Sequence, residues 1–358
     1  MDYDRLRELL IMETILFLAH TEPDGTLAKQ AFEVLGATMS LKDSLPESIL
    51  VVGLVGGEFR PAAESIGSCG AARVLAVAGP DFAQPRYASD AAAVEAICRA
   101  ANASLVVAPS TSRWFRAVPG VAYRLNGRVD THATDFSVCD GFPTLTRWYY
   151  RQRMEATLRR NHRPWIVLLE AGCNPAWQGT PGSCEVEVLS LDLPESSKRT
   201  QFIEIHAPQA EEQTIRPDAE LLFVAGAGWT KKQADGKVHI AEAEKLILDF
   251  LKLSQASLGS SKSLVDMSEE GQAVLPFLTH MNQIGQTGST PRHRKGLSTC
   301  CHGEEPHVVG WRFISERRAV NLDPNCGWAR GKTDVLYVAD AFEVMAKLNA
   351  LLAARKEQ

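Results

Sequence analysis

Residues 283–288 read Gln-Ile-Gly-Gln-Thr-Gly, and their types suit ligand chemistry better than any other short stretch of the chain. Gly285 and Gly288 bracket Gln286 and Thr287, so the backbone can approach a ligand closely with its N–H groups exposed. Such a turn suits a phosphate or the polar edge of a flavin. Downstream, Cys300, Cys301, His302 and His307 form a second group of reactive side chains, which Cys326 would join in a metal reading. Cysteine and histidine ligate zinc, but adjacent cysteines on a strand face opposite ways, and this spacing matches no common zinc pattern. A thiolate at Cys301, stabilised by His302 and His307, is the nucleophile alternative, and no further nucleophile motif accompanies it.

The elements that position these residues follow from the apolar runs. Runs at 12–19, 48–55, 74–78 and 105–108 predict strands, and helical patterns at 27–35 and 90–101 fall among them. Strands alternating with helices imply βαβ units and a largely parallel sheet. From residue 135 the texture changes. Strand-like stretches at 136–138, 147–150, 165–169 and 185–191 have few helices between them, which predicts an antiparallel extension or the sheet's far edge. Residues 194–219 are polar and proline-containing and read as a linker, with some pairing near 202–205. A second α/β unit opens with a strand at 221–225 and the turn Gly226-Ala227-Gly228. It continues with a helix at 241–254, strands at 320–321 and 335–338, and a C-terminal helix. In that helix Ala341, Met345, Leu348 and Leu352 share one face, as core packing requires.

The chain has 358 residues, 45% hydrophobic and 23% charged, which suits about two globular domains. The net charge of −5 gives no support for nucleic-acid binding. No uncharged apolar run approaches the length of a membrane span, and the acidic N-terminus fits neither a secretory signal nor a transit peptide. Eight scattered cysteines in a chain of this size suggest no disulfide framework, so the expectation is a cytoplasmic protein with reduced thiols. A basic and aromatic cluster (Arg151, Arg153, Arg159, Arg160 and Arg163 with Trp148, Tyr149, Tyr150 and Trp165) reads as a solvated strand face rather than an anion site. The pair Gly56-Gly57 reads as a turn.

The second unit resembles the flavin domain of electron transfer flavoprotein alpha subunits, the FixB family. That family shows a strand, a Ser-Gly-Gly-Arg-Gly turn, a helix, a Ser-Arg pair and Val-Gly-Gln-Thr-Gly. Ser-Gly-Ala-Ile-Gln-His, Asn-Lys-Asp-Pro and an Asp-containing helix start follow. Here the turn is Gly226-Ala227-Gly228, the pair is Ser261-Lys262, and Gly285-Gln286-Thr287-Gly288 is intact. The next motif falls on His302-Gly303-Glu304-Glu305-Pro306-His307, then Asn321-Leu322-Asp323-Pro324, then Asp340 ahead of the last helix. More loosely, residues 108–112 and 118–122 match family stretches in the first half, so the resemblance covers most of the chain from residue 12 onward.

The resemblance implies a two-domain α/β fold. Residues 1–11 would be an added extension, 12–207 an N-terminal parallel-sheet domain contacting the partner, and 208–358 a doubly wound, flavodoxin-like FAD domain. It implies FAD bound by Gly226, Gly228, Ser261, Lys262, Gly285, Gln286, Thr287, Gly288, His302, Gly303, His307, Asn321 and Asp340. Thr287 would lie near the flavin N5, and His307 near O2 and N1. Asn321 and Asp340 would lie around the adenosine, and the two glycine turns against the pyrophosphate. The implied function is an electron carrier, not a complete enzyme. Its partners would be a beta subunit holding AMP or a second FAD, a flavin dehydrogenase as donor and a quinone-linked oxidoreductase as acceptor. The chain departs from the family at Ala227, Lys262, His302 and Pro306, where the family has Arg, Arg, Ser and Gln. A cation beside the dinucleotide is thereby missing, and Lys262 lacks the planar fork of Arg. Two alternatives stay open. One is a flavin-free or adenine-nucleotide-binding scaffold subunit; the other is an oxidoreductase using Cys301 and His307 on its own substrate.

Overall fold

A computed structural model describes residues 12–45, 47–149, 154–204, 215–216, 219–266, 274–285, 290–299, 313–326, 329–330 and 332–356. The chain divides into two compact units, Met1–Glu204 and Ile205–Gln358.

The first unit begins β1 (Thr14–His20), α1 (Lys29–Asp43), β2 (Ile49–Gly56), α2 (Arg60–Ser65), β3 (Arg73–Ala78), α3 (Pro80–Ala83), α4 (Tyr87–Ala101), β4 (Leu105–Pro109) and α5 (Ser112–Arg124). It ends with β5 (Arg128–Cys139), β6 (Phe142–Tyr149), β7 (Met154–Leu158), β8 (Trp165–Leu169) and β9 (Val186–Val188). The strands line up as β7-β6-β5-β8-β4-β1-β2-β3-β9. From β5 to β9 every pairing is parallel, and β6 and β7 extend the sheet antiparallel.

The unbroken apolar runs follow from burial on both faces. Ile15, Phe17 and Ala19 of β1 pack with Val34, Leu35 and Leu41 of α1. Leu16 and Leu18 point the other way, into a core with Val94 and Ile97 of α4 and Trp114 and Val118 of α5. Alternation along one strand thus feeds two cores. Deep in the second of these, Arg113 reaches the Asp90 carboxylate at 2.7 and 3.0 Å and donates to the carbonyl of Phe82 at 2.6 Å.

The region after residue 128 is more divided than its texture predicts. The strand expected at 136–138 begins at Arg128, and its first half runs parallel beside β8. β8 lies inside the parallel core between β4 and β5, and β9 joins the opposite edge beside β3. Only β6 and the unanticipated β7 form the antiparallel extension. The β5–β6 hairpin turns on Asp140-Gly141, both with positive φ (53° and 80°), the mirror-image turn whose twist suits a two-residue loop. The linker contains a short 3₁₀ turn at Glu195–Lys198; residues 202–204 form no strand, and residues 205–214 lie outside the described set.

The second unit contains β10 (Leu221–Ala225), a 3₁₀ turn (Ala227–Thr230), α6 (Ile240–Ser254), β11 (Ser257–Ser260) and α7 (Lys262–Asp266). A 3₁₀ turn (His280–Asn282), β12 (His293–Thr299), β13 (Ile314–Asn321), β14 (Val335–Val338) and α8 (Ala341–Lys356) complete it. The five strands among the described residues are all parallel, in the order β11-β10-β12-β13-β14. Counted within the unit this is 2-1-3-4-5, the flavodoxin-like order, with its switch point between β10 and β12. Phe223 and Ala225 pack with Ile247 and Phe250 of α6 and Met345 of α8. Leu222 and Val224 face a smaller core with Ile284, Phe313, Ile314 and Cys326. On α8, Ala341 and Met345 are buried, while Leu348 and Leu352 pack partly buried against the same core. Sequence patterning passes over β11 and β12. The latter reads His-Arg-Lys-Gly-Leu-Ser-Thr, and its place in mid-sheet comes from strands on both sides rather than from its own apolarity.

Candidate functional site

The carboxyl ends of β10, β13 and β14 surround a pocket of about 570 Å³. Beyond β10 the chain turns through Gly226, whose N–H donates to the carbonyl of Thr299 at 2.9 Å. Ala227 then tucks inward and is only 1% exposed. Trp229 anchors the turn: its indole N–H donates to Thr299 Oγ1 at 2.9 Å, and its ring lies 4.6 Å from that of Phe342. Gly228 is left on the pocket wall.

The loop that follows is tied to itself. Gln233 Nε2 donates to the carbonyls of Gly228 (3.1 Å) and Lys231 (2.7 Å). Asp235 accepts from the backbone N–H of Lys237 and contacts His239 at 2.9 Å; these two contacts, the first the larger, lower its carboxyl pKa. Lys231 and Lys232 thereby sit on an ordered loop, and both line the pocket.

The opposite wall comes from β13 and β14. Asn321, 7% exposed, ends β13, and its Oδ1 accepts from the N–H of Asp323 at 3.3 Å. Asp323 Oδ1 accepts in turn from the N–H of Asn325 at 2.8 Å. Asp340 caps α8, with Oδ1 accepting from the N–H groups of Phe342 (2.8 Å) and Glu343 (3.2 Å). All three residues line the pocket.

The structure therefore gathers Gly228, Asn321 and Asp340 around one pocket, with Gly226 behind Gly228 in the turn and not on the pocket wall. Ser261, Lys262 and Gly285 form a neighbouring group at the end of β11. The N–H of Ser261 donates to the carbonyl of Ala225 at 2.9 Å, which sets this group beside the end of β10. The Ser261 hydroxyl accepts from the N–H of Leu264 at 3.2 Å and starts α7 at Lys262. Ile284 donates to the carbonyl of Ser260 at 3.0 Å, which draws Gly285 in. Gly285 has φ +78°, a conformation that strains any residue with a Cβ, and its N–H donates to Thr290 Oγ1 at 2.8 Å. Ser260 Oγ is fully buried here without a partner among the described residues. Gln286, Thr287, Gly288, His302, Gly303 and His307 lie outside the described residues, as do Cys300 and Cys301.

Sequence reading passed over Lys231, Lys232 and Asp323 as pocket residues. Asp323 was visible within the Asn321-Leu322-Asp323-Pro324 motif, and the lysine pair follows the glycine turn directly. Among the described residues no group of three or more His, Cys, Asp or Glu is arranged to hold a metal ion, and Cys326 is buried in the smaller core.

Several polar groups at the strand ends of the first unit bond to one another. His20, at the end of β1, is hydrogen-bonded to Thr111 at 3.2 Å, and burial together with Arg113 lowers its pKa to about 4. Glu170 Oε1 accepts from Ser110 (3.1 Å) and contacts His132 Nδ1 (2.9 Å). Within the basic cluster, Arg159 pairs with Asp140, Arg160 with Asp130 and Arg163 with Glu13, so these arginines serve the sheet rather than an anion. Gly56 and Gly57 permit close packing: a Cβ at Gly56 would stand 1.8 Å from Thr21 Oγ1.

Comparison with known proteins agrees with this architecture. A family model described as the electron transfer flavoprotein domain matches residues 15–196. A curated relative, "Electron transfer flavoprotein subunit alpha" of Thermoanaerobacterium thermosaccharolyticum, is 22% identical over 328 residues, spanning 91% of this chain and 93% of that protein. Among the described residues no helix is long and apolar enough to cross a membrane. With the family match covering more than half its length, the chain belongs to the electron transfer flavoproteins, as a divergent member of the alpha type.

Proposed function

We propose that the chain is the alpha subunit of a heterodimeric electron transfer flavoprotein and holds FAD at the carboxyl ends of its second sheet. The observation that carries this reading is the pocket beside the switch point, where Gly228, Asn321 and Asp340 meet in a flavodoxin-ordered sheet. The residues present fit a dinucleotide. Bare backbone at Gly228 admits close approach, Asp340 and Asn321 offer acceptors to ribose or adenine, and two lysines offer charge to phosphates. The buried, unpartnered Ser260 hydroxyl beside the Gly285 turn is a further polar group at this end of the sheet.

When bound, the flavin supplies the redox chemistry; the chain's own residues bind it and tune it. By their place in the family motifs, Thr287 and His307 would face the flavin's reactive edge, where a donor or positive charge favours the reduced, more negative form. Asn321 and Asp340 would hold the adenosine end. The beta subunit completes the heterodimer and carries AMP or a second FAD. Electrons arrive from a flavin dehydrogenase and leave one at a time to a quinone-linked oxidoreductase, so the chain is a carrier rather than a stand-alone enzyme.

The test is an absorption spectrum of the complex that purifies with this chain. Visible flavin bands that survive gel filtration, with extraction yielding FAD, support the reading. A complex that stays colourless after incubation with excess FAD overturns it. Retention of ADP by that colourless complex would instead favour an adenine-nucleotide scaffold, since Asn321 and Asp340 are the adenosine-end residues.

A further inference from the structure

The pocket is polarised. Lys231 and Lys232 line the side that follows β10, while Asp323 and Asp340 line the side that follows β13 and β14. β10 and β13 stand two strand spacings apart, about 10 Å. Both lysine side chains are exposed and have no acidic partner among the described residues. The two aspartates are held differently, each accepting backbone N–H groups that fix its carboxylate. A ligand matching both sides carries an anionic group at one end and hydroxyl or amino donors about 10 Å away. A nucleoside diphosphate has that form.

The cation that the glycine turn itself lacks also bears on this. Ala227 is 1% exposed in the short turn that also buries Trp229 and Thr230, so a long charged side chain at its position would have to enter a closed space. Gln233 fixes the next segment by bonding back to Gly228 and Lys231. The lysine pair is therefore delivered to the pocket rim by a loop already ordered within the protein.

We infer that Lys231 and Lys232 are the phosphate-binding residues of this pocket, supplying to the diphosphate of the bound nucleotide the charge that Ala227 cannot. This rests on the reading of the pocket as the dinucleotide site. The lysines act as mobile point charges, so their contribution is screened by salt.

The experiment measures binding of FAD, ADP and adenosine by calorimetry, at low and high salt, to the protein in the complex in which it purifies. Wild type is compared with the double variant Lys231→Gln/Lys232→Gln, and with Lys237→Gln as a control lysine of the same loop that does not line the pocket. The double variant should bind FAD and ADP about ten- to a hundredfold more weakly and lose most of the salt dependence. Adenosine binding should be unchanged in it, and Lys237→Gln should behave as wild type. Thermal melting should be unaltered, since both side chains are exposed. Undiminished FAD and ADP affinity in the double variant overturns the inference while leaving the pocket reading intact. An equal loss from Lys237→Gln overturns it as well, since the effect would then be one of general surface charge. Failure of wild type to bind any of the three ligands defeats the pocket reading, and this assignment with it.

Discussion

Two sheets in one chain, the first parallel at its centre and the second parallel throughout its described strands, treat their carboxyl ends in opposite ways. In the first unit the groups there bond to each other: His20 with Thr111, and Ser110 and His132 with Glu170. Charges deeper in that unit are paired too, Asp90 with Arg113 and Asp130 with Arg147 and Arg160. In the second unit the strand ends open on a pocket whose lysines have no acidic partner among the described residues. The same rule of topology, that ligands bind where strand order reverses, thus has different material to act on in each unit. Satisfied polar groups stabilise and specify a fold; polar groups left facing open space are available to a ligand.

The largest effects should fall on what closes each unit. Asp90→Ala leaves the Arg113 guanidinium buried without its carboxylate and should destabilise the first unit by about 3–5 kcal/mol. Trp229→Ala removes a fully buried indole that braces the glycine turn and should cost the second unit about 3–5 kcal/mol. Hydrogen exchange read by mass spectrometry should show protection lost in peptides of the mutated unit. Only Trp229→Ala should also abolish nucleotide binding; loss of binding from Asp90→Ala would break the comparison.

Asp130 gives the first unit a dependence on pH. Burial by itself raises its pKa, but hydrogen bonds from Arg160 and Trp165 and the charges of Arg160 and Arg147 outweigh that, and the net shift is downward. The folded-state pKa therefore lies below the unfolded value of about 3.9. The stabilisation is present above the unfolded value and is lost as pH falls through the folded one. Denaturant melts between pH 3 and pH 7 should show the first unit weakening at the acid end, on the order of pH 4 and below. Asp130→Asn should flatten that dependence and cost about 2–3 kcal/mol at neutral pH.

Smaller changes sharpen the contrast within the second unit. Gly285→Ala forces a side chain into a left-handed conformation and should cost about 1–2 kcal/mol, read as a lowered melting midpoint. Asp340→Ala removes the cap of α8, at about 1 kcal/mol. Asp340→Asn keeps the cap, so its melting midpoint should match wild type. If Asp340 also serves the ligand through its charge, ADP affinity should fall in Asp340→Asn without loss of stability. Parallel behaviour of the two Asp340 variants in both assays would reduce that residue to a helix cap.

Much of this architecture could be read directly. The runs around Leu16, Val52, Leu75 and Val107 are uniformly apolar because each strand is covered on both faces, and that condition is written into every residue of the strand. β12 escaped because its lysine, arginine and glycine give no such signal; pairing with β10 and β13 places it in the sheet. β7 escaped because its residues are mostly exposed, although the Asp140-Gly141 turn marks the hairpin next to it. Of the pocket lining, Gly228, Asn321 and Asp340 belong to motifs visible in the sequence, while Lys231 and Lys232 belong to no motif and gain meaning only from what stands opposite them.

Local chemistry in the sequence settled the class of fold, the division into two α/β halves and the glycine turns, because burial patterns and backbone freedom are properties of neighbouring residues. Tertiary structure alone decided that β8 lies between β4 and β5, that the second sheet runs 2-1-3-4-5, and that a lysine pair faces Asp323 and Asp340 across one pocket. These are pairings between residues far apart along the chain. The free energy that selects them comes from packing and hydrogen bonds formed only when the whole sheet assembles, and it leaves no trace in any short window of sequence.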